Sequence, residues 1–299
     1  MELEYHTLDV FTGERFSGNP LAVVSDGRGL TSAQMQAIAR EFNLSETVFV
    51  LPAENPAHSA RIRIFTPARE LPFAGHPTIG AAILIAETTG RISGTAGEAI
   101  LALEETIGTV RVGVRRKAGD AAYAEFDTPR LPEPLSSPPS ADLLAAALGL
   151  SPSEISFENH KPTRYSAGVA FSFVPVRGLE VIGRAALNSA YWAGAFGEGG
   201  GAFVYCRECL HTTSQFHARM FVPDIGEDPA TGSAAAAFAA VVQRFDQPPA
   251  GQHVYRIEQG HEMGRPSRVT MELTMAGAQL KSVRIGGQAV RVASGRIAV

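Results

Sequence analysis

Two cysteines, one tryptophan and no long apolar run stand out by their scarcity in a chain of 299 residues. Both cysteines, Cys206 and Cys209, lie in one C-x-x-C pair, and a disulfide-stapled framework is therefore excluded. The pair has no second paired motif to complete a zinc site, and it ends a strand-like run rather than opening a helix as a thioredoxin-type motif does. It reads as ordinary structural or surface thiols. The most apolar stretches, Gly80–Ala86 and Ala234–Val242, are far shorter than the ~20 residues that span a bilayer. No Lys/Arg run exceeds Arg115–Lys117 and the net charge is -4, so nucleic acid has no electrostatic footprint here. The opening MELEYH has no basic start before an apolar run, which speaks against a secretory signal and makes the cytoplasm the expected location. No Rossmann glycine fingerprint, Walker loop or H-x-x-x-H pair appears, so no cofactor and no metal are expected. Gly197-Glu198-Gly199-Gly200-Gly201 reads as a flexible turn, and His58, His160 and His253 as exposed loop or strand-end residues. His211 and His217 flank a turn between two strands.

What is present is a chain of ordinary globular composition, 45% hydrophobic and 19% charged. Strands are expected at Leu3–Val10, Leu21–Val24, Thr47–Leu51, Ala60–Phe65, Ile100–Glu104 and Thr109–Arg115, where Val and Ile cluster or alternate. Thr31 and Gln34 form a capping box for a helix at Ser32–Phe42. A second set of strands follows, at Val169–Val176, Ala202–Cys206, Phe216–Phe221, Val254–Glu258, Arg268–Met275 and Lys281–Ile285. The chain then closes with Ala289–Val292 and Arg296–Val299. Between the two sets lies a segment, 129–140, with prolines at 129, 132, 134, 138 and 139. Proline lacks the amide donor and fixes φ, so the segment reads as a linker. After it, Ser140 caps and Gly149 stops a helix at Ala141–Leu148, Ser151-Pro152 signals a further start, and a helix fits Leu187–Ala193. The expected division is an N-terminal lobe at 1–128, joined by 293–299, the linker at 129–140, and a C-terminal lobe at 141–292.

One pattern recurs. Arg63-Ile64-Phe65-Thr66-Pro67 is followed by Gly75-His76-Pro77-Thr78-Ile79-Gly80, and Arg219-Met220-Phe221-Val222-Pro223 by Asp228-Pro229-Ala230-Thr231-Gly232-Ser233. Each reads as a strand, a loop, and a helix opening at a proline, with His76 and Asp228 in matching places. Free amides and the helix dipole make such an opening an anion site, and an anion held by both would feel both dipoles. The same charge would stabilise an enolate-like species formed when a proton leaves carbon. Capped core helices remain the plainer reading of either segment alone. Glu46 falls between a helix and an apolar strand. It is either an exposed junction carboxylate or, with burial or a carboxylate nearby, a general base.

These runs, together with Phe16-Ser17-Gly18-Asn19-Pro20, Asn43-Leu44-Ser45-Glu46-Thr47, Glu70-Leu71-Pro72-Phe73-Ala74-Gly75 and Gln259-Gly260-His261-Glu262-Met263-Gly264, resemble the signatures of the phenazine-biosynthesis PhzF-like family, in order along nearly the whole chain. The resemblance implies an α/β (α+β) fold like that of diaminopimelate epimerase, with two related lobes, each a sheet wrapped around a central helix, here opening at Pro77 and Pro229. It implies a cofactor-independent isomerase like that of trans-2,3-dihydro-3-hydroxyanthranilate, and a homodimer. Glu46 matches the family's catalytic glutamate, His76 and Asp228 its site histidine and aspartate, and Ser233 its second-loop serine. Ser45, Gly75, Thr231, Gly232 and Ser233 are the expected carboxylate-binding set. The related two-thiol epimerases differ, because neither helix opening carries cysteine. An epimerase or racemase of another amino or hydroxy acid, or a binding protein on the same scaffold, stays open.

Overall fold

A computed structural model describes residues 2–92, 96–197, 200–223 and 225–299. The expected turn at 197–201 lies partly outside these. The chain divides into two compact units, one formed by Met1–Asp127 with Gly286–Val299 and the other by Thr128–Ile285. The closing segments form one continuous strand, Gln279–Ala298, so the return to the first unit begins at 286.

In the first unit the strands form a sheet that closes on itself. Glu2–Val10 pairs antiparallel with both Asn19–Val24 and the last strand. From there the sheet runs through Glu46–Leu51, Ala60–Phe65, Gly97–Glu105, Gly108–Arg116 and Ala122–Asp127, which pairs with the last strand again. Inside it lies the helix Gly75–Thr88, buried from Gly75 through Ala86. A helix apolar all round has to be enclosed on every side. Its small residues permit this: a Cβ on Gly80 would stand 2.5 Å from Leu21 Cδ2. The outer helix Ser32–Phe42 carries the expected Thr31–Gln34 capping box and ends on Asn43 in the left-handed region.

The second unit repeats the plan. Thr163–Ser166, Ala170–Pro175, Gly201–Cys206, Phe216–Val222, Gly251–Gln259 and Ser267–Ala276 make the sheet. The buried helix Gly232–Phe245 packs on it, with the Phe238 ring 4.7 Å from Tyr205 and 4.9 Å from Phe216. The proline-rich segment is more than a linker. Glu133–Pro134 adds a short antiparallel edge to Thr163–Ser166, a strand position that tolerates proline. Helix Ala141–Leu148 has its Ser140 cap and Gly149 stop, while Pro152–Glu154 makes only a 3-10 turn. The helix expected at Leu187–Ala193 is Ser189–Phe196, and Leu179–Arg184 is a helix that carried no start signal. His160 is fully buried rather than exposed, bonded to Tyr205 Oη and Asp246 Oδ1 at 2.9 Å each. Among the described residues no helix is long and apolar enough to cross a membrane.

Candidate active site

In each unit the chain entering the buried helix is fixed by an arginine fork. Arg63 donates Nε and an NH2 to the two oxygens of Glu70, at 2.7 and 2.6 Å. Arg219 does the same to Glu227, at 2.8 and 2.8 Å. In both, the guanidinium also lies over the phenylalanine two residues on, Phe65 or Phe221. The glutamates pair in register with those same phenylalanines. Planar two-point pairing of this kind fixes direction as well as distance.

This sets the true register of the repeat and corrects the sequence reading. The buried helices begin at Gly75 and Gly232, not at Pro77 and Pro229. Glu70 precedes Gly75 by the same interval as Glu227 precedes Gly232, so the shared motif is Glu-x-Pro-x-x-Gly. His76 therefore matches Ser233, and Asp228 matches Leu71. The physical reason lies in the second loop. Asp228 ends the short strand Gly226–Asp228, and the carbonyl that a helix would need accepts Gln259 Nε2 at 2.7 Å instead. Gln259 Oε1 takes the Thr231 amide at 3.3 Å. Gly260, at φ +76, lets the chain pass Pro229 so closely that a Cβ would meet the Pro229 carbonyl oxygen at 2.7 Å. Gln259 and Gly260 thus clamp the Asp228–Thr231 turn, a role for this segment that no single residue pattern revealed.

At the first helix opening His76 and Glu46 come together. His76 Nε2 lies 3.3 Å from Glu46 Oε2, and their side chains are 6% and 16% exposed. Glu46 is the first residue of its strand and Ser45, half-buried, precedes it. Burial pushes the His76 imidazole down to about 3, so the ring is neutral and the contact is not an ion pair. Neither buried helix has a side-chain cap bond, and Gly75, His76, Gly232 and Ser233 lie in their first turns. Such amides have no intrahelical partner. At the second opening Asp228 is buried and accepts the Thr231 hydroxyl. Gly232 is buried, and Ser233 and Thr231 are half-buried.

One buried carboxyl was missed. Glu105 Oε1 accepts the Thr78 hydroxyl, from the first turn of the helix, at 2.8 Å. Burial pushes Glu105 up to about 8. The alternation Leu101, Leu103, Glu105 along its strand places all three on the inner face and was the legible signal. The cysteines sit elsewhere. Cys206 is buried, Cys209 half-buried, and burial pushes both thiols up to about 12, far from a reactive thiolate.

A family model described as phenazine biosynthesis-like protein matches residues 8–295. The chain belongs to that family. An uncharacterized isomerase of Mesorhizobium japonicum is 54% identical, over 98% of each chain. The trans-2,3-dihydro-3-hydroxyanthranilate isomerase of Pseudomonas aeruginosa is 38% identical, again over 98% of each. A solved PhzF-family structure from Bacillus anthracis superposes with a TM-score of 0.90 at 25% identity, covering both chains completely. The fold is that of the PhzF family, the diaminopimelate epimerase-like architecture, and the chain is an isomerase like these relatives.

Proposed function

We propose that this PhzF-family isomerase moves a proton between two carbons of a small, carboxylated, cyclic metabolite, with Glu46 as the acid/base. Support comes chiefly from one observation, the 3.3 Å approach of Glu46 to a neutral His76 at an uncapped helix opening. Glu46 takes the proton from one carbon. The electron pair left behind is delocalised through the double bond toward the substrate's carboxylate or imine, and Glu46 returns the proton to a second carbon. No oxidant or reductant is needed, because the reaction only relocates one proton and a double bond.

The neutral imidazole of His76, whose Nε2 lies beside Glu46 with no hydrogen-bond partner among the described residues, is available to hydrogen-bond the substrate rather than act by charge. In the first unit the amides at Gly75 and His76 are offered to the negative charge that develops beside Glu46, and the second unit's opening, at Gly232 and Ser233, offers donors of the same kind. Asp228, held by Thr231, suits a substrate N–H or O–H, and the hydroxyls of Ser45 in the first unit and of Thr231 and Ser233 in the second are of the kind that holds a carboxylate. High thiol pKa values at Cys206 and Cys209 favour this one-base route over a two-thiol epimerisation.

The substrate of the Pseudomonas aeruginosa relative, trans-2,3-dihydro-3-hydroxyanthranilate, is the first to offer. Turnover is followed by NMR for wild type and Glu46→Gln. Isomerisation by wild type that is lost in the variant supports the reading. Isomerisation that survives in Glu46→Gln overturns the role of Glu46.

A further inference from the structure

We propose that His211, Glu258 and His261 form a binding site for one divalent transition-metal ion of the zinc type. Each offers one ligand atom, and these atoms all lie within 4.8 Å of one another. The three come from different places in the second unit. His211 is in the turn after strand Gly201–Cys206, Glu258 is on strand Gly251–Gln259, and His261 is in the turn that follows it. No linear spacing could announce such a set.

The carboxylate is prepared for the task. Glu258 is 1% exposed. Its Oε1 accepts His217 Nδ1 and the Leu210 amide, while Oε2 accepts the His211 amide at 3.1 Å. A carboxylate has about four lone-pair positions, so Oε2 retains capacity for a cation. His217, itself fully buried, is backed on its other nitrogen by Glu262 at 2.9 Å. This is the outer shell that orients a metal-binding carboxylate. The imidazoles of His211 and His261 lie side by side, tilted at 50° with ring centroids 5.4 Å apart. A tetrahedral ion with bonds of about 2.0–2.1 Å wants its ligand atoms roughly 3.3 Å apart, so separations within 4.8 Å must contract by at most about 1.5 Å. His211 is the exposed member of the set, so no core packing opposes its adjustment. Two imidazoles and one carboxylate suit zinc, nickel or cobalt and disfavour magnesium or calcium, which take all-oxygen sites. Three protein ligands leave a fourth position for water.

The placement has a consequence. Glu258 and His261 flank Gln259 and Gly260, the pair that clamps the Asp228–Thr231 turn. A bound ion would fasten both ends of that clamp to the turn carrying His211. The site thus stiffens one part of the binding machinery without entering the chemistry.

The test is a Co2+ titration of the full chain after dialysis against chelator, read by visible d–d absorption and by thermal unfolding. The expected result is one ion per chain, displaced by Zn2+, with no sulfur-to-cobalt charge-transfer band and a raised unfolding temperature. His211→Ala and His261→Ala should each weaken binding by more than about tenfold. His211 is exposed, so its variant retains the fold, and it decides the matter if His261→Ala does not fold. Failure to take up Co2+, uptake unchanged in His211→Ala, or a charge-transfer band that vanishes in Cys206→Ser or Cys209→Ser would each overturn the proposal.

Discussion

Arg219 grips Glu227 through two parallel hydrogen bonds of 2.8 Å, and its third nitrogen donates to the carbonyls of Ile182 and Ala185. It is 8% exposed. Lysine offers a point charge instead of a planar fork. Arg219→Lys should therefore destabilise the second unit by about 3 kcal/mol, near the cost of breaking a buried pair. In the first unit Arg63 and Glu70 make the same fork but their side chains are 17% and 33% exposed. Arg63→Lys should cost only about 1 kcal/mol. Urea unfolding of the two variants measures the contrast.

Glu105 makes stability fall as pH rises from about 4.5 to about 8. Its folded-state value is about 8 against an ordinary 4.5. Between those pH values the unfolded chain has lost this proton while the folded chain keeps it, so folding weakens as pH rises. Glu105→Gln keeps a neutral group beside Thr78 and removes the slope. Its gain over wild type should be near zero at pH 4 and reach roughly 4 kcal/mol by pH 8. A constant difference across that range would contradict a protonated Glu105.

His76 acts on the acid side. Its folded value of about 3 lies below the ordinary 6.5, so the unfolded chain gains a proton first as pH falls, and stability is lost from 6.5 downward. Histidine NMR titration at this ring should show no protonation above pH 5.

Gly260 permits the close pass by Pro229, with φ +76 and a Cβ position 2.5 Å from the Arg265 carbonyl oxygen. Gly260→Ala should loosen the Asp228–Thr231 turn and reduce kcat/KM at least about tenfold, on the estimate that a misplacement near 1 Å costs up to 100-fold. Gln259→Leu should act in the same direction, since it removes the bonds to Asp228 and Thr231. Steady-state kinetics beside a far-UV melting curve separates the loss of function from unfolding.

Much of the fold was legible because local signals agreed with it. Thr31 and Gln34, and Ser140 and Gly149, bounded their helices to the residue, and the Val- and Ile-rich runs became strands. The starts of the two buried helices were not legible from their prolines. Pro77 lies inside a first turn whose amides are unpaired anyway, whereas Pro229 lies in a turn held by Gln259 and Gly260, which arrive from a distant strand. The arginine forks, once seen, show the correct register in the sequence itself. Glu46, His76 and Asp228 were named from family motifs, and Glu46 and His76 are brought within 3.3 Å. The alternation along its strand placed Glu105 on the inner face, but its Thr78 partner, and the joining of His211 to Glu258 and His261, needed tertiary structure.

Deuterium exchange into the substrate tests the central claim most directly. Wild type and Glu46→Gln are incubated with trans-2,3-dihydro-3-hydroxyanthranilate in D2O, and binding of each is checked separately by calorimetry. The account predicts that wild type isomerises the compound, with deuterium entering one ring carbon to the extent that Glu46 exchanges its proton with solvent before returning it, while Glu46→Gln binds the compound and neither isomerises it nor incorporates deuterium. Isomerisation or incorporation by Glu46→Gln at the wild-type rate would contradict it.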